Sequence, residues 1–272
     1  MSSEDALSKV DTTVAHPARR YDYWLGGKDN FAADRESGDA VEAKLPTIRL
    51  SVRENRWFMC RAVAYAAGEL GIRQFLDIGT GIPTSPNTHQ IAQEADPTAR
   101  VVYVDNDPLV LVHARALMTG TPQGATSYLE ADLREPGKIL QNQDLRATLD
   151  LTQPVALMLL AVLHFLPDAE NPQAIIDTLI DALPDGSLVI ASHATLEHLP
   201  PEQAELIIKA DGRALPRSGA QLAALFDRPG LEPVQPVKSV SEWWPESAPD
   251  PRPAVADVAC NGLVARVVRP RV

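Results

Sequence analysis

The chain has 272 residues and 25 Lys and Arg against 36 Asp and Glu, a formal charge of −11 at pH 7. That length suits one large domain or two small ones, and 45% hydrophobic residues can fill a sizeable core. The acidic balance and the absence of any Lys/Arg run argue against a sequence-independent nucleic-acid binder, which needs a basic surface to neutralise phosphate. The longest apolar run, Val155 to Leu163, falls short of the roughly 20 residues that span a bilayer, so no membrane segment is expected. The amino terminus, MSSEDALSKVDTT, has neither a basic stretch nor an apolar core of the secretory kind, and the protein is expected in the cytoplasm. Cys60 and Cys260 lack metal-ligand spacing and read as ordinary thiols, and no metal site is expected.

From Ala18 to Gly68 the hydrophobic period is helical. From Arg73 onward short apolar runs alternate with amphipathic ones, the pattern of βαβ units. Strands are predicted at Gln74–Ile78, Val101–Asp105, Thr126–Glu130, Val155–Leu163 and Ser187–Ser192, with Val255–Val268 as a later partner or hairpin arm. Helices are predicted at Asn87–Ala95, Leu109–Met118, Pro172–Leu183 and Pro201–Lys209. The architecture expected is α/β: a parallel sheet with helices on both faces. The proline-rich stretches after Arg228 predict loops near a sheet edge. Residues 1–70 are expected to form a helical cap or lid over one compact unit, residues 71–272.

The chemistry is carried first by Phe75-Leu76-Asp77-Ile78-Gly79-Thr80-Gly81, an apolar strand ending in an acid and then Gly-x-Gly. Glycines there let backbone approach a nucleotide cofactor, and the following helix turns its positive end toward it. Asp105 closes the next strand, where a doubly wound fold presents a carboxylate to ribose hydroxyls, and Asp132 follows the third strand. A ligandless turn and solvated loop acids are the bland readings of these features one at a time. Three strand-end acids in succession favour a ligand. The third glycine of the dinucleotide fingerprint is replaced by Thr84, and Asp77 would repel a pyrophosphate but attract an ammonium group. S-adenosylmethionine is therefore preferred to NAD.

These residues resemble the class I methyltransferases that use S-adenosylmethionine, whose first motif is Asp-x-Gly-x-Gly. More closely, the chain resembles a bacterial family of S-adenosylmethionine methyltransferases formerly classed as a domain of unknown function. The resemblance runs from about Pro17 to Val268. It rests on ARRYDYWLGGKDNF from Ala18 to Phe31, on Phe75 to Pro83, on VVYVDNDP from Val101 to Pro108, on Ala131 to Arg134 and on Ala161 to Phe165. It implies a Rossmann-like, mostly parallel sheet of seven strands, the last antiparallel. It further implies that Asp77, Gly79, Thr80 and Gly81 hold the methionine end, Asp105 the ribose, and Asp132 with Leu133 the adenine edge, with Asn106 beside the ring. Ala161 and His164 would line the pocket next to the sulfonium.

Gly26-Gly27-Lys28 fits a phosphate-binding loop poorly, because Asp22 and Asp29 stand where that loop needs Gly and Ser or Thr. It reads better as a hinged lid in which Tyr21 and Tyr23 cover the cofactor and Lys28 or Arg56 neutralises its carboxylate, against a plain capping segment. His164 is the candidate base for a hydroxyl acceptor, although it and His193 also read as structural histidines. Trp243-Trp244 reads as a hydrophobic plug or as an acceptor-binding wall. The acids from Asp34 to Asp39 read as a solvated helix face. The activity expected is methyl transfer to a small-molecule acceptor, with net charge favouring a neutral or cationic one. The rivals are a module that binds S-adenosylmethionine or its demethylated product without catalysis, and an NAD-dependent oxidoreductase.

Overall fold

The computed structural model describes residues 10–117, 120–247 and 251–270. Residues 1–9 of the segment read for a secretory signal, and Met118 at the end of one predicted helix, lie outside the described residues. Three helices open the chain: α1 (Pro17–Leu25), α2 (Ala32–Glu42) and α3 (Ile48–Ala64). Pro17 supplies the preset φ of a first helical residue, and the His16 side chain accepts the Ala18 N–H at 3.3 Å. Gly26 ends α1 with φ 84°, a left-handed cap that costs glycine little. Asp34, expected on a solvated face, is instead buried. Its two oxygens accept the N–H groups of His16 and Phe31, both at 2.8 Å, and so lock the turn between α1 and α2.

The sheet follows as β1 (Gln74–Ile78), β2 (Arg100–Asp105), β3 (Ala125–Glu130), β4 (Ala156–Leu160), β5 (Leu188–Ala194), β6 (Leu231–Pro233), β7 (Lys238–Ser239) and β8 (Cys260–Val267). Its order is β3-β2-β1-β4-β5-β8-β6, and β7 also pairs with β8. The first five strands are parallel, and β8 runs antiparallel to β5 and β6. The order reverses between β1 and β4, which opens a crevice at their carboxyl ends. Helices α4 (Thr88–Ala95), α5 (Pro108–Leu117), α6 (Pro136–Gln141), α7 (Gln143–Thr148), α8 (Pro172–Asp181), α9 (Pro201–Asp211) and α10 (Gly219–Leu225) complete the described α-helices.

Side chains alternate across a strand, and the two faces have separate cores. Leu76, Ile78, Val102, Val104, Leu157 and Leu159 pack with α6, α7 and α8 through Ile139, Leu145, Ile176 and Leu179. Phe75, Val101, Tyr103 and Met158 pack on the other face with Phe58, Met59 and Ala62 of α3. Asp77 and Asp105 share the alternation of Phe75 and Val101, which turns both carboxylates toward the α3 side. That placement follows from a period of two.

Several boundaries differ from expectation. The predicted strand Val155–Leu163 stops at Leu160, because Ala161 takes φ 52° and Leu163–Phe165 forms a 3-10 turn. Ala161 is held there by its N–H, which donates to the Ser192 carbonyl at 3.1 Å and hydroxyl at 3.0 Å. A left-handed non-glycine residue costs about 1–3 kcal/mol. The final strand begins at Cys260, and Val255–Asp257 is a 3-10 turn. The proline-rich segment contributes the short β6 and β7, so the sheet has eight strands where seven were implied.

Candidate active site

A cavity of about 490 Å³ occupies the crevice at the carboxyl ends of the parallel strands. Its floor is Asp77–Gly81, Asp105, Asn106, Ala131–Arg134 and Leu160–Val162. The roof comes from the helices that precede the sheet: Tyr21 and Trp24 of α1 and Ile48, Val52, Asn55, Arg56 and Met59 of α3. Another hollow, lined by Gln74, Arg100 and the segment 146–151, is at the amino-terminal end of the strands. Open α/β sheets bind ligands at the opposite end.

Gly79 sits where β1 and β4 part, with φ 75°. A Cβ there would lie 2.6 Å from Cγ2 of Val162, so only glycine lets the two strand ends meet. Gly81 also has positive φ, and its N–H donates to Oδ2 of Asp105 at 2.8 Å. Oδ1 of Asp105 accepts the Asp107 N–H at 2.9 Å, so two backbone groups orient this carboxylate. Asp77 accepts from the Thr88 hydroxyl at 2.7 Å. Burial raises both acids to about 6, because neither has a cation in contact to offset lost hydration. Thr88 and the more distant Arg56 partly oppose the rise at Asp77, as do the N–H groups of Asp107 and Gly81 at Asp105.

Arg56 reaches across the roof and donates through Nη2 to the carbonyls of Thr84 and Pro86, while its Nε is buried without a partner. The guanidinium therefore has unused donor capacity at the cavity wall. Asn106 donates to Asp132 at 3.0 Å, and Arg134 pairs with Asp132 at 3.3 Å and with Glu170 at 2.6 Å. Leu133 is buried beside them. The Tyr21 hydroxyl donates to the Val52 carbonyl at 3.2 Å and accepts from Asn55 at 2.9 Å, which fixes the ring in the roof.

The cavity thus brings together Tyr21, Arg56, Asp77, Gly79, Thr80, Gly81, Asp105, Asn106, Asp132, Leu133, Ala161 and His164. Gly26 and Gly27, the glycines of the lid reading, are not among its lining residues. Gly26 caps α1, and a Cβ on Gly27 would fall 1.9 Å from an Asp22 carboxylate oxygen, so the pair serves this turn. Tyr23 and Lys28 are also absent from the lining, and the Tyr23 hydroxyl donates to Asp39 at 2.6 Å. His193 lies behind the wall, with its ring bonded to Arg217 and to the Ala194 carbonyl. Trp243 is fully buried against Phe58, donates to the Gly262 carbonyl at 3.2 Å, and is a plug rather than a wall.

Sequence reasoning missed Ser51, Asn55, Asp211, Arg213, Ala214 and Cys260, all of which line the cavity. Asn55 shares a helix face with Arg56 and Met59 and could be sought from helical spacing. Residues 211–214 have no local signature. Arg20 was within the recognised motif, but its role shows only in three dimensions: it bonds both Asp211 carboxylate oxygens at 3.1–3.2 Å and ties α1 to α9.

The doubly wound order, the glycine turn and the strand-end acids define a class I methyltransferase that uses S-adenosylmethionine. The residues present fit that cosubstrate, with two buried carboxylates lacking a cation and a guanidinium with spare donors. A family model described as S-adenosyl methyltransferase matches residues 3–268, and the chain belongs to that family. A DUF574 family protein from Streptomyces avermitilis is 46% identical, covers 94% of this chain and 99% of its own, and superposes with a TM-score of 0.89. A candidate methyltransferase from Thermobifida fusca is 37% identical over 95% of this chain and 97% of its own, with a TM-score of 0.85. Magnesium protoporphyrin IX methyltransferase from Synechocystis PCC 6803, solved with bound S-adenosylhomocysteine, shares the fold at 16% identity. It covers 91% of this chain and 92% of its own, with a TM-score of 0.54. No curated protein matches the chain. The protein is an S-adenosylmethionine-dependent methyltransferase that acts on a substrate acceptor.

Proposed function

We infer that this methyltransferase modifies a small molecule held within the cavity, and that it works in the cytoplasm with residues 1–70 as a cap over residues 71–272. The observation that carries the reading is the roof: α1 and α3 enclose a volume of about 490 Å³. Small-molecule sites span roughly 300–1,000 Å³. A formal charge of −11 disfavours a polyanionic acceptor such as nucleic acid. Among the described residues no helix is long and apolar enough to cross a membrane, and Cys60 and Cys260 are free thiols.

Within this reading Asp77 receives the ammonium of the methionine end and Arg56 its carboxylate. Thr80 and the backbone of Gly79 and Gly81 accommodate the chain between them. Asp105 accepts from the ribose hydroxyls, Asp132 and Leu133 meet the adenine edge, and Asn106 lies beside the ring. Ala161 and His164 stand on the acceptor side. When bound, the sulfonium supplies an electrophilic methyl group and leaves as a neutral thioether, so alignment contributes most of the acceleration. The roof residues exclude water and hold both partners.

Parallel calorimetric titrations with S-adenosylmethionine, S-adenosylhomocysteine and NAD test the cofactor side. Binding of the first two alone is expected, and binding of NAD alone would overturn the assignment. Transfer of labelled methyl to protein or nucleic acid, with none to small molecules in a cell extract, would overturn the acceptor class.

A further inference from the structure

The wall beside Ala161 contains a relay that sets which His164 nitrogen carries its proton. Arg217 is buried and donates through Nη1 to His193 Nε2 at 3.1 Å. A guanidinium has no acceptor, so that nitrogen is unprotonated and the His193 proton sits on Nδ1, which donates to the Ala194 carbonyl at 2.8 Å. The N–H of the same residue, Ala194, donates to His164 Nδ1 at 3.4 Å. His164 is therefore protonated on Nε2 when neutral. Burial, with help from His193, Arg20 and Arg217, pushes its affinity for a second proton well down. Nε2 has no partner among the described residues, and the ring, only 8% exposed, lines the cavity. It offers the cavity a donor and has no lone pair there with which to act as a base.

The neighbouring cations add to this. The Leu215 N–H donates to the His164 carbonyl at 2.7 Å, which holds residues 211–215 against the same wall. Asp211, the last residue of α9, is already engaged by Arg20 and by the N–H groups of Arg213 and Ala214. Arg213, an exposed residue, is among those lining the cavity and has no acidic partner among the described residues. Arg20 and Arg213 against Asp211 leave one positive charge in surplus at this wall, while Asp77, Asp105 and Asp132 face Arg56 and Arg134 on the floor and roof of the same cavity.

We propose that the methyl acceptor is a small carboxylic acid whose carboxylate binds the His164 Nε2–H and the Arg213 guanidinium and is itself methylated. This rests on the methyltransferase reading and deepens it. A carboxylate oxygen lone pair forms the new C–O bond as the C–S bond breaks, and that electron pair stays on sulfur. The products are a methyl ester and S-adenosylhomocysteine. A carboxylate has no proton to lose, so the step balances without a base, in agreement with the tautomer of His164.

The test uses the full chain saturated with S-adenosylhomocysteine and titrated with acetate, benzoate and phenylacetate, each beside its amide. At least one acid is expected to bind while its amide does not. Arg213→Ala should weaken that acid about tenfold, the scale of one charged hydrogen bond. His164→Gln, which keeps an N–H near the position of Nε2, should retain binding that His164→Ala loses. Nitrogen-15 spectra of the histidines should show Nε2–H at His164. With labelled S-adenosylmethionine, the acid product should release labelled methanol on alkaline hydrolysis. Equal binding of acid and amide, no acid binding, an Arg213→Ala variant of unchanged affinity, an Nδ1–H tautomer or methyl on another atom each overturns the proposal. If S-adenosylhomocysteine itself fails to bind, the methyltransferase reading falls too, which distinguishes the two failures.

Discussion

Asp77 and Asp105 make cofactor affinity depend on pH in a direction that the buried geometry sets. In the ligand-free protein burial lifts each from the usual 3.8 to about 6, an increment of about 3 kcal/mol apiece. Between about pH 4 and 6 the folded chain holds protons that the unfolded chain has released, so these groups make folding less favourable as pH rises. Binding runs the other way, because an ammonium pairs with an ionised carboxylate and ribose hydroxyls donate more strongly to one than to a neutral acid. At pH 5 each acid is ionised roughly one time in ten, and the two together should weaken S-adenosylhomocysteine about 100-fold relative to pH 7. Calorimetry in two buffers of different ionisation enthalpy reads both the affinity and the nearly two protons released per binding event at pH 5. Asp77→Asn leaves Asp105 alone to titrate and should reduce the ratio to about tenfold. Affinity that stays flat from pH 5 to 7 with no proton release would refute the assignment of both carboxylates.

Asp105→Ala removes a charged acceptor and strands the Gly81 and Asp107 N–H groups. It should cost about 1.5–3 kcal/mol of S-adenosylmethionine affinity, read by titration. Arg19 and Asp107, both buried, form a two-bond pair at 2.9 and 3.1 Å. Arg19→Ala leaves that buried acid with only the His16 ring at 3.2 Å and the Leu109 N–H at 3.0 Å, and should lower unfolding free energy by about 3 kcal/mol, measured by denaturant melts. Trp243→Ala should cost about 3–5 kcal/mol of stability while leaving affinity for S-adenosylhomocysteine unchanged in the protein that remains folded. A loss of affinity there would return the residue to the binding site.

Most of the sheet was legible because its strands are short apolar runs bounded by turn residues. The predicted β1, β2, β3 and β5 lie within a residue or two of those observed. Errors fell where tertiary contacts override local pattern. An apolar run continues past Leu160, yet hydrogen bonds from Ser192 turn the chain at Ala161. The six-residue helices α6 and α7 and the seven-residue α10 are too short to announce a period of 3.6.

The cofactor side of the site is written locally, because a strand, its terminal acid and its glycine turn are neighbours in the chain. Composition, β-strand order of acids and the Gly79–Gly81 turn therefore determined the class of protein. The wall proposed for the acceptor is assembled from segments far apart: Arg20, His164, Ala194 and residues 211–215 meet only in the folded chain. No spacing rule reports such a meeting. In the proposed relay the His164 tautomer is likewise set by His193 and Arg217, two and three residues away along the hydrogen bonds and up to 53 positions away in sequence. Gly26 and Gly27 show the converse. Their motif was visible, but only the Asp22 carboxylate packed against Gly27 shows that the glycine is required by the turn itself.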